Sequence, residues 1–253
     1  LGLPIPTLKY YNLGADCYVI VKLGKNPVFL PNLIMLKAIL FDLDGTLTNT
    51  DPLHYQTWAK VLESHQIPIN SNFYKAHISG KTNAEIVQDL FSQLSEKEGL
   101  ELANLKEANF RELAVNLEPL AGLNEFLYWI KNQSFKTGLV TNAPRENTDL
   151  MLNVLNLSDY FDAVILSDEI GIGKPNPAPY QYCLDQLNIL AEDAIAFEDS
   201  PSGIRSAIAA GIKTIGVAST HDPKSLNDLG VTFVVEDFKS SLLWEYLSGD
   251  FTD

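Results

Sequence analysis

Residues 37–49 read KAILFDLDGTLTN. An apolar run climbs to Phe41, then Asp42 and Asp44 flank a single leucine and Gly45 follows at once. Aspartate and glycine are poor strand formers, so the end of this strand is built for something other than pairing. A short continuous apolar run bounded by turn residues predicts a strand buried on both faces, as in a parallel sheet.

Further runs of that kind follow: KTGLVTN (136–142), AVILSD (163–168), AIAFEDS (194–200), KTIGVAS (213–219) and TFVVED (232–237). Helical patterns lie between them, namely RENTDLMLNVLNL, APYQYCLDQLNIL and SGIRSAIAAG, the last closing on Gly211 as a helix-terminating glycine. Strand–helix alternation with short connections predicts an α/β fold, a parallel sheet with helices on both faces. Residues 51–118 break the rhythm with three amphipathic helical stretches (HYQTWAKVLESHQ, NAEIVQDLFSQL, LANLKEANFRELAVNL) and no strand signal, until Pro119 and Gly122 punctuate the return. The expected organisation is a catalytic core of 35–50 and 119–253 carrying an inserted helical cap at 51–118. The cap would stand over the carboxyl ends of the strands, where open α/β sheets bind ligands.

Residues 1–34 differ in character. They begin with leucine, are interrupted by Pro4, Pro6, Pro27 and Pro31, and lack the basic and continuous apolar regions of a signal peptide. Met35 directly precedes the first clean strand, and we expect it to be the natural start. The competing expectation is a genuine extra strand in CYVIVKL.

The chain of 253 residues is 46% hydrophobic with a net charge of −14. Such acidity opposes a phosphate-backbone binder, which needs a basic face, and no apolar run reaches the ~18 residues of a membrane span. The two cysteines, Cys17 and Cys183, form no metal or disulfide pattern and fit a reducing, cytoplasmic setting. Expected partners are therefore a small metabolite, without nucleic acid or membrane, for a monomer or weak homodimer.

On a parallel sheet the strand ends Asp42-Leu43-Asp44, Thr141-Asn142 and Glu198-Asp199, together with Lys174 in GIGKPNP, face one crevice. Hard oxygen ligands without Cys or His favour Mg²⁺. Carboxylates brought this close repel, so a divalent ion and a lysine are needed to neutralise them. One carboxylate can then attack phosphorus, and an acid two residues along can exchange the proton.

These motifs resemble the haloacid dehalogenase superfamily, in particular its small-helical-cap branch around β-phosphoglucomutase and the sugar-phosphate phosphatases. FDLDGTLTNT, LVTNA, GIGKPNP and FEDSPSGIRSAIAAG match its motifs in order, from Met35 to the C-terminus. The resemblance implies a Rossmann-like core, Asp42 as nucleophile and Asp44 as general acid/base lending its carbonyl to Mg²⁺. It also implies Thr141 and Asn142 on the phosphoryl group, Lys174 offsetting charge, and Asp199 with Glu198 as metal ligands. The family's dehalogenases use neither the second aspartate nor Mg²⁺, so Asp44 and the Glu198-Asp199 pair argue for phosphorus chemistry.

In the cap, Thr50, His54 and Lys106 stand where β-phosphoglucomutase-like enzymes carry a hinge threonine, a histidine and a lysine. Their cap arginine is replaced by Asn83 in SGKTNAEI, leaving Lys81 beside Gly80 as a point charge. A mutase must rebind a bisphosphate and a hydrolase need not, so the expectation is a Mg²⁺-dependent phosphatase of a sugar phosphate. A mutase is the alternative, and a silent binding protein or a regulator using residues 1–34 the remoter ones. Ordinary structural roles compete in the cap: a core or hinge histidine at 54, a solvated Lys106, a helix cap at Thr82-Asn83. His65, His77 and His221 are expected at the surface or in packing, and Trp58, Phe110 and Trp129 between helices.

Overall fold

A computed structural model describes residues 36–248 with their side chains and, before them, strand backbone at 9–12, 17–23 and 26–30. The chain divides into two compact units, Leu1–Leu36 and Lys37–Asp253. In the first, β1 (Lys9–Asn12), β2 (Cys17–Leu23) and β3 (Asn26–Leu30) form an antiparallel sheet in that order. CYVIVKL is therefore a strand; the expected start at Met35 lies outside the described residues.

The second unit is built on six parallel strands: β4 (Ala38–Phe41), β5 (Lys136–Thr141), β6 (Ala163–Leu166), β7 (Ala194–Glu198), β8 (Lys213–Val217) and β9 (Phe233–Val235). Their order is β6-β5-β4-β7-β8-β9. The chain winds outward from β4 in one direction, then returns and winds outward in the other. Such a reversal opens a crevice at the carboxyl ends of the central strands. Phe41 is in register with Leu139 and Phe197, so Asp42 is the first residue past the rim.

Successive side chains of β4 point to opposite faces, and each face has its own cover. Ala38 and Leu40 join Tyr180, Cys183, Leu184 and Leu187 of α8 (Ala178–Leu187) and Ala207 of α9 (Pro201–Ala209). Phe41 lies among Phe126 of α5 (Leu123–Gln133), Phe197 and Phe238 at centroid distances of 5.4–6.2 Å. Trp129 stacks on Phe126 and meets Trp244 of α11 (Ser241–Ser248). All four strand residues are buried, which is why the run reads as continuously apolar.

Between β4 and α5 the described chain is helical: α1 (Asp51–Ser64), α2 (Ser71–His77), α3 (Asn83–Leu90), α4 (Glu96–Leu113) and a 3₁₀ turn at Ala114–Asn116. Trp58, Val61, Leu62, Tyr74, Ile86, Phe91 and Leu102 give this segment a core of its own. Two capping boxes, Thr82/Glu85 and Ser95/Glu98, fix the starts of α3 and α4. The second places the start of α4 six residues ahead of the apolar pattern that predicted it. The strands entering and leaving the segment are tied together by Thr48 Oγ1 donating to the Glu118 carbonyl (2.7 Å) and Leu120 N–H to Leu47 (2.9 Å). Among the described residues no helix is long and apolar enough to cross a membrane.

Candidate active site

The turn after β4 explains DLDG. Leu43 is buried, and its carbonyl accepts the Leu47 N–H at 3.0 Å, so the backbone folds back immediately. Gly45 holds φ +79°, a left-handed conformation that side chains disfavour, and a Cβ there would lie 2.1 Å from Asp199 Oδ2. The glycine thus lets the first turn approach the acidic motif of β7.

Lys174 sits at the centre. Its ammonium donates to Asp42 Oδ1 (2.7 Å), Glu198 Oε1 (2.6 Å) and the Val140 carbonyl (2.7 Å), which uses all three protons. Asn142 holds the lysine loop: its Oδ1 accepts the Lys174 N–H (3.0 Å) and the Ser167 hydroxyl, and its Nδ2 donates to the Lys174 carbonyl. The Thr141 hydroxyl accepts the Ala143 N–H (2.9 Å), which leaves its own proton to donate. Tyr180 donates to Glu198 Oε1 at 2.7 Å, Thr220 to Asp199 Oδ2, and Ser219 to the Gly45 carbonyl.

Oxygens of Asp42, Glu198 and Asp199 all lie within 4.8 Å of one another. Burial drives Asp42 up to about 7 against the pull of Lys174. Burial, then the charges of Asp42 and Glu198, push Asp199 well above the usual carboxylate range. Lys174 is raised as well: burial would lower it, but Asp42 with Glu198 hold it above its ordinary value. The lysine alone does not neutralise three carboxylates. Glu198 Oε2 is also buried with no hydrogen-bond partner among the described residues. A Cβ at position 203 would fall 1.9 Å from that oxygen, so Gly203 keeps its space open. An all-oxygen set with surplus negative charge and an orphaned oxygen fits a hard divalent cation.

Asp44 faces the helical segment. Its Oδ1 accepts Thr50 Oγ1 (2.6 Å) and contacts His54 Nε2 (3.2 Å). Thr50 stands at the helix N-cap, where its hydroxyl accepts no capping bond from the helix and instead donates to Asp44. Burial would raise Asp44, but His54, Thr50 and Lys106 together hold it below the usual carboxylate range. His54 stacks on Phe110 at 4.5 Å and presents Nδ1 to Lys106 Nζ at 2.8 Å. Lys106 is 2% exposed and donates also to Glu107 Oε1 at 2.8 Å, so it is not the solvated helix lysine its sequence context allows.

The remaining cap residues do not gather at Asp42. Lys81 pairs with Asp89 (2.5 Å), Asn83 donates to Glu107 (2.6 Å), and Thr82 is the helix cap. His221 is half-buried in packing, as expected: it contacts the Thr220 hydroxyl at 2.8 Å, and its Nε2 would stand 3.7 Å from a Cβ on Gly80. Burial lowers its pKa. Sequence reasoning passed over Tyr180, Ser219, Thr220, Glu107 and Asn147. Only the tyrosine, in the helix after GIGKPNP, offered a signal, as a polar tip on a buried face.

The family model for haloacid dehalogenase-like hydrolases matches residues 39–217. A phosphorylated carbohydrates phosphatase of Thermotoga maritima is 33% identical over 205 residues, covering 79% of this chain and 94% of that protein. A validoxylamine A 7'-phosphate phosphatase of Streptomyces hygroscopicus subsp. limoneus is 30% identical over 201 residues, covering 78% and 92%. Among solved structures, β-phosphoglucomutase from Clostridium difficile superposes with a TM-score of 0.74 at 26% identity, covering 85% of this chain and 96% of that one.

Proposed function

The chain belongs to the haloacid dehalogenase-like hydrolases, and on that footing we propose that it is a Mg²⁺-dependent phosphatase of a phosphorylated sugar or similar small metabolite, with residues 51–118 as its cap. The observation that carries the reading is the meeting of Asp42, Glu198 and Asp199 around Lys174 at the carboxyl end of β4. The two phosphatase relatives support the substrate class.

Asp42, Asp199 and Glu198, the last directly or through water, would hold the ion with the Asp44 carbonyl. When bound, the ion supplies positive charge for the transferring phosphoryl group and for the carboxylates around it. Asp42 attacks phosphorus while the bond to the leaving oxygen breaks, forming an aspartyl-phosphate. Asp44, held ionised in the free site, would take up a proton as the substrate phosphate binds, pass it to that oxygen and then take one from the water that hydrolyses the phospho-enzyme. Thr50 and His54 occupy Oδ1 of Asp44, leaving the second oxygen for proton exchange. The Thr141 hydroxyl donates to a phosphoryl oxygen, and Lys174, with the ion when bound, draws Asp42 toward its ionised form beside an anionic substrate. The Asn142 side chain is committed to the Lys174 loop, so its part toward phosphate falls to the backbone. Closure of the cap over a small substrate excludes bulk water. Buried, unpaired Cys183 accords with a cytoplasmic setting.

The test is turnover of a panel of phosphorylated metabolites with and without Mg²⁺, following free phosphate. Phosphate release that needs Mg²⁺ and vanishes in Asp42→Asn is the expected result. Glucose 6-phosphate formed from β-glucose 1-phosphate without phosphate release would make the protein a mutase instead.

A further inference from the structure

Parallel strands end on one side of their sheet, and β4 to β8 each bring a turn to the site there. β4 supplies Asp42 and Asp44, β5 supplies Thr141 on the way to α6 (Arg145–Val154), and β6 leads through α7 (Ser167–Ile170) to Lys174. β7 supplies Glu198 and Asp199. The fifth turn, from β8 to α10 (Pro223–Asn227), reads Ala218-Ser219-Thr220-His221-Asp222. No step of phosphoryl transfer uses it, yet Gly216 of β8 is in register with Glu198, which sets the turn beside the acidic motif.

Three side chains of this turn reach back onto the site. Thr220 Oγ1 donates to Asp199 Oδ2, Ser219 Oγ donates to the Gly45 carbonyl, and His221 Nδ1 meets the Thr220 hydroxyl at 2.8 Å. A Cβ on Gly45 would lie 3.0 Å from Thr220 Cγ2 as well as 2.1 Å from Asp199 Oδ2, so that glycine admits both partners. A metal-ligating aspartate is ionised and can only accept. The one proton of Thr220 is then spent on Oδ2, and the hydroxyl oxygen takes its own bond from His221 Nδ1–H. A carboxylate held at one oxygen keeps one orientation. The Ser219 bond acts likewise on the first turn, fixing the peptide carbonyl next to that of Asp44.

We propose that Ser219, Thr220 and His221 are positioning residues for the divalent ion, holding Asp199 and the Asp44-Gly45 turn in the one arrangement that favours Mg²⁺ over Ca²⁺. The proposal rests on the Mg²⁺-dependent reading above and adds to it the source of the ion's selectivity. Mg²⁺ demands near-ideal octahedral geometry at about 2.0–2.1 Å, whereas Ca²⁺ accepts looser sets of oxygens at about 2.3–2.6 Å. Ligands fixed in advance therefore suit the smaller ion, and loosening them costs it more. Partners that orient a metal ligand commonly carry about 10- to 100-fold of the metal affinity.

The test measures Mg²⁺ and Ca²⁺ binding to the metal-free protein, without substrate, from the rise in thermal transition with ion concentration. Thr220→Val keeps the shape and removes the hydroxyl. It should raise the Kd for Mg²⁺ by about tenfold or more and that for Ca²⁺ by about threefold at most. Thr220→Ser restores the donor and should return to within about twofold of wild type for both ions, which a loss of packing alone would not predict. Ser219→Ala and His221→Phe each remove one bond and should narrow the preference for Mg²⁺ by about threefold; they decide the matter if the valine variant does not fold. Equal losses for the two ions, no loss in a folded variant, or a serine variant no better than valine overturns the inference alone. No ion-dependent rise in wild type overturns the Mg²⁺-dependent reading and the inference with it.

Discussion

At the amino ends of the central strands, Lys37 pairs with Asp193 at 2.7 Å and Lys136 with Asp162 at 3.2 Å, both lysine side chains being about half exposed at 52% and 54%. At the carboxyl ends of the same strands, Lys174 meets Asp42 and Glu198 at 2.7 and 2.6 Å, and no side chain of the three is more than 10% exposed. The residue types are alike, and the sharpest difference is the exposure of the lysine. In water an ion pair is worth roughly 0–1 kcal/mol. Out of water each charge costs several kcal/mol to desolvate and its partners become indispensable. The sheet therefore staples its amino end with exposed charge and gathers buried charge at its carboxyl end.

That contrast fixes the order of effects to expect. Asp42→Asn should lower phosphate release by about 10⁴-fold with little change in the thermal transition, because burial already favours the neutral form of Asp42 and Glu198 remains to pair Lys174; a variant keeping a tenth of wild-type turnover would remove Asp42 from the nucleophile's role. Lys174→Met, which leaves three buried carboxylates facing one another, should cost about 3–5 kcal/mol in urea unfolding and abolish activity. Gly45→Ala combines a disfavoured φ with a Cβ 2.1 Å from Asp199 Oδ2. It should cost about 1–2 kcal/mol and raise the Mg²⁺ concentration for half-maximal activity far more than it lowers stability.

Glu107 offers a pH test. Burial would raise its pKa, but Lys106 and Asn83 win and hold it below the ordinary 4.5. A depressed carboxyl contributes stability that is fully present above the unfolded value and is lost as pH falls through the folded one. Stability should therefore fall below about pH 4.5 in wild type, and less steeply in Glu107→Gln, as read from acid unfolding curves. Asp162 is also depressed, by the Thr137 N–H and Lys136 against a burial penalty. Being exposed, it should give a smaller slope. The smallest effect belongs to Lys136→Met: less than about 1 kcal/mol, weaker still in high salt, with turnover untouched. A large loss there would break the contrast between the two ends.

What the sequence made legible follows the same division. Continuous apolar strands ending in carboxylates betray a parallel sheet because burial on both faces and a functional rim each mark composition. Asp42, Thr141, Lys174 and Asp199 could be read for that reason. Helix α2 carries no apolar stripe long enough to read, its start being fixed by the Asn70 side chain accepting the Phe73 N–H. Glu107 looks like any surface glutamate in KEANF, and its burial depends on Asn147, 40 residues away in the chain. Thr220, 21 residues from Asp199, was equally silent, since a hydroxyl after a strand marks nothing until the turn brings it to its partner.

Strand order also sets a timetable. The central strand β4 is the first of its sheet to be synthesised, yet Lys37 at its foot waits for Asp193, 156 residues later, and Asp42 at its head waits 132 residues for Lys174. Until both neighbours leave the ribosome, an entirely apolar strand has two unpaired edges and Asp42 has no counter-charge. A growing chain of this design is exposed to edge-to-edge association and completes its carboxylate–lysine cluster only once β7 is made. The helical segment, made in that interval with its own core, can fold while the sheet is still waiting.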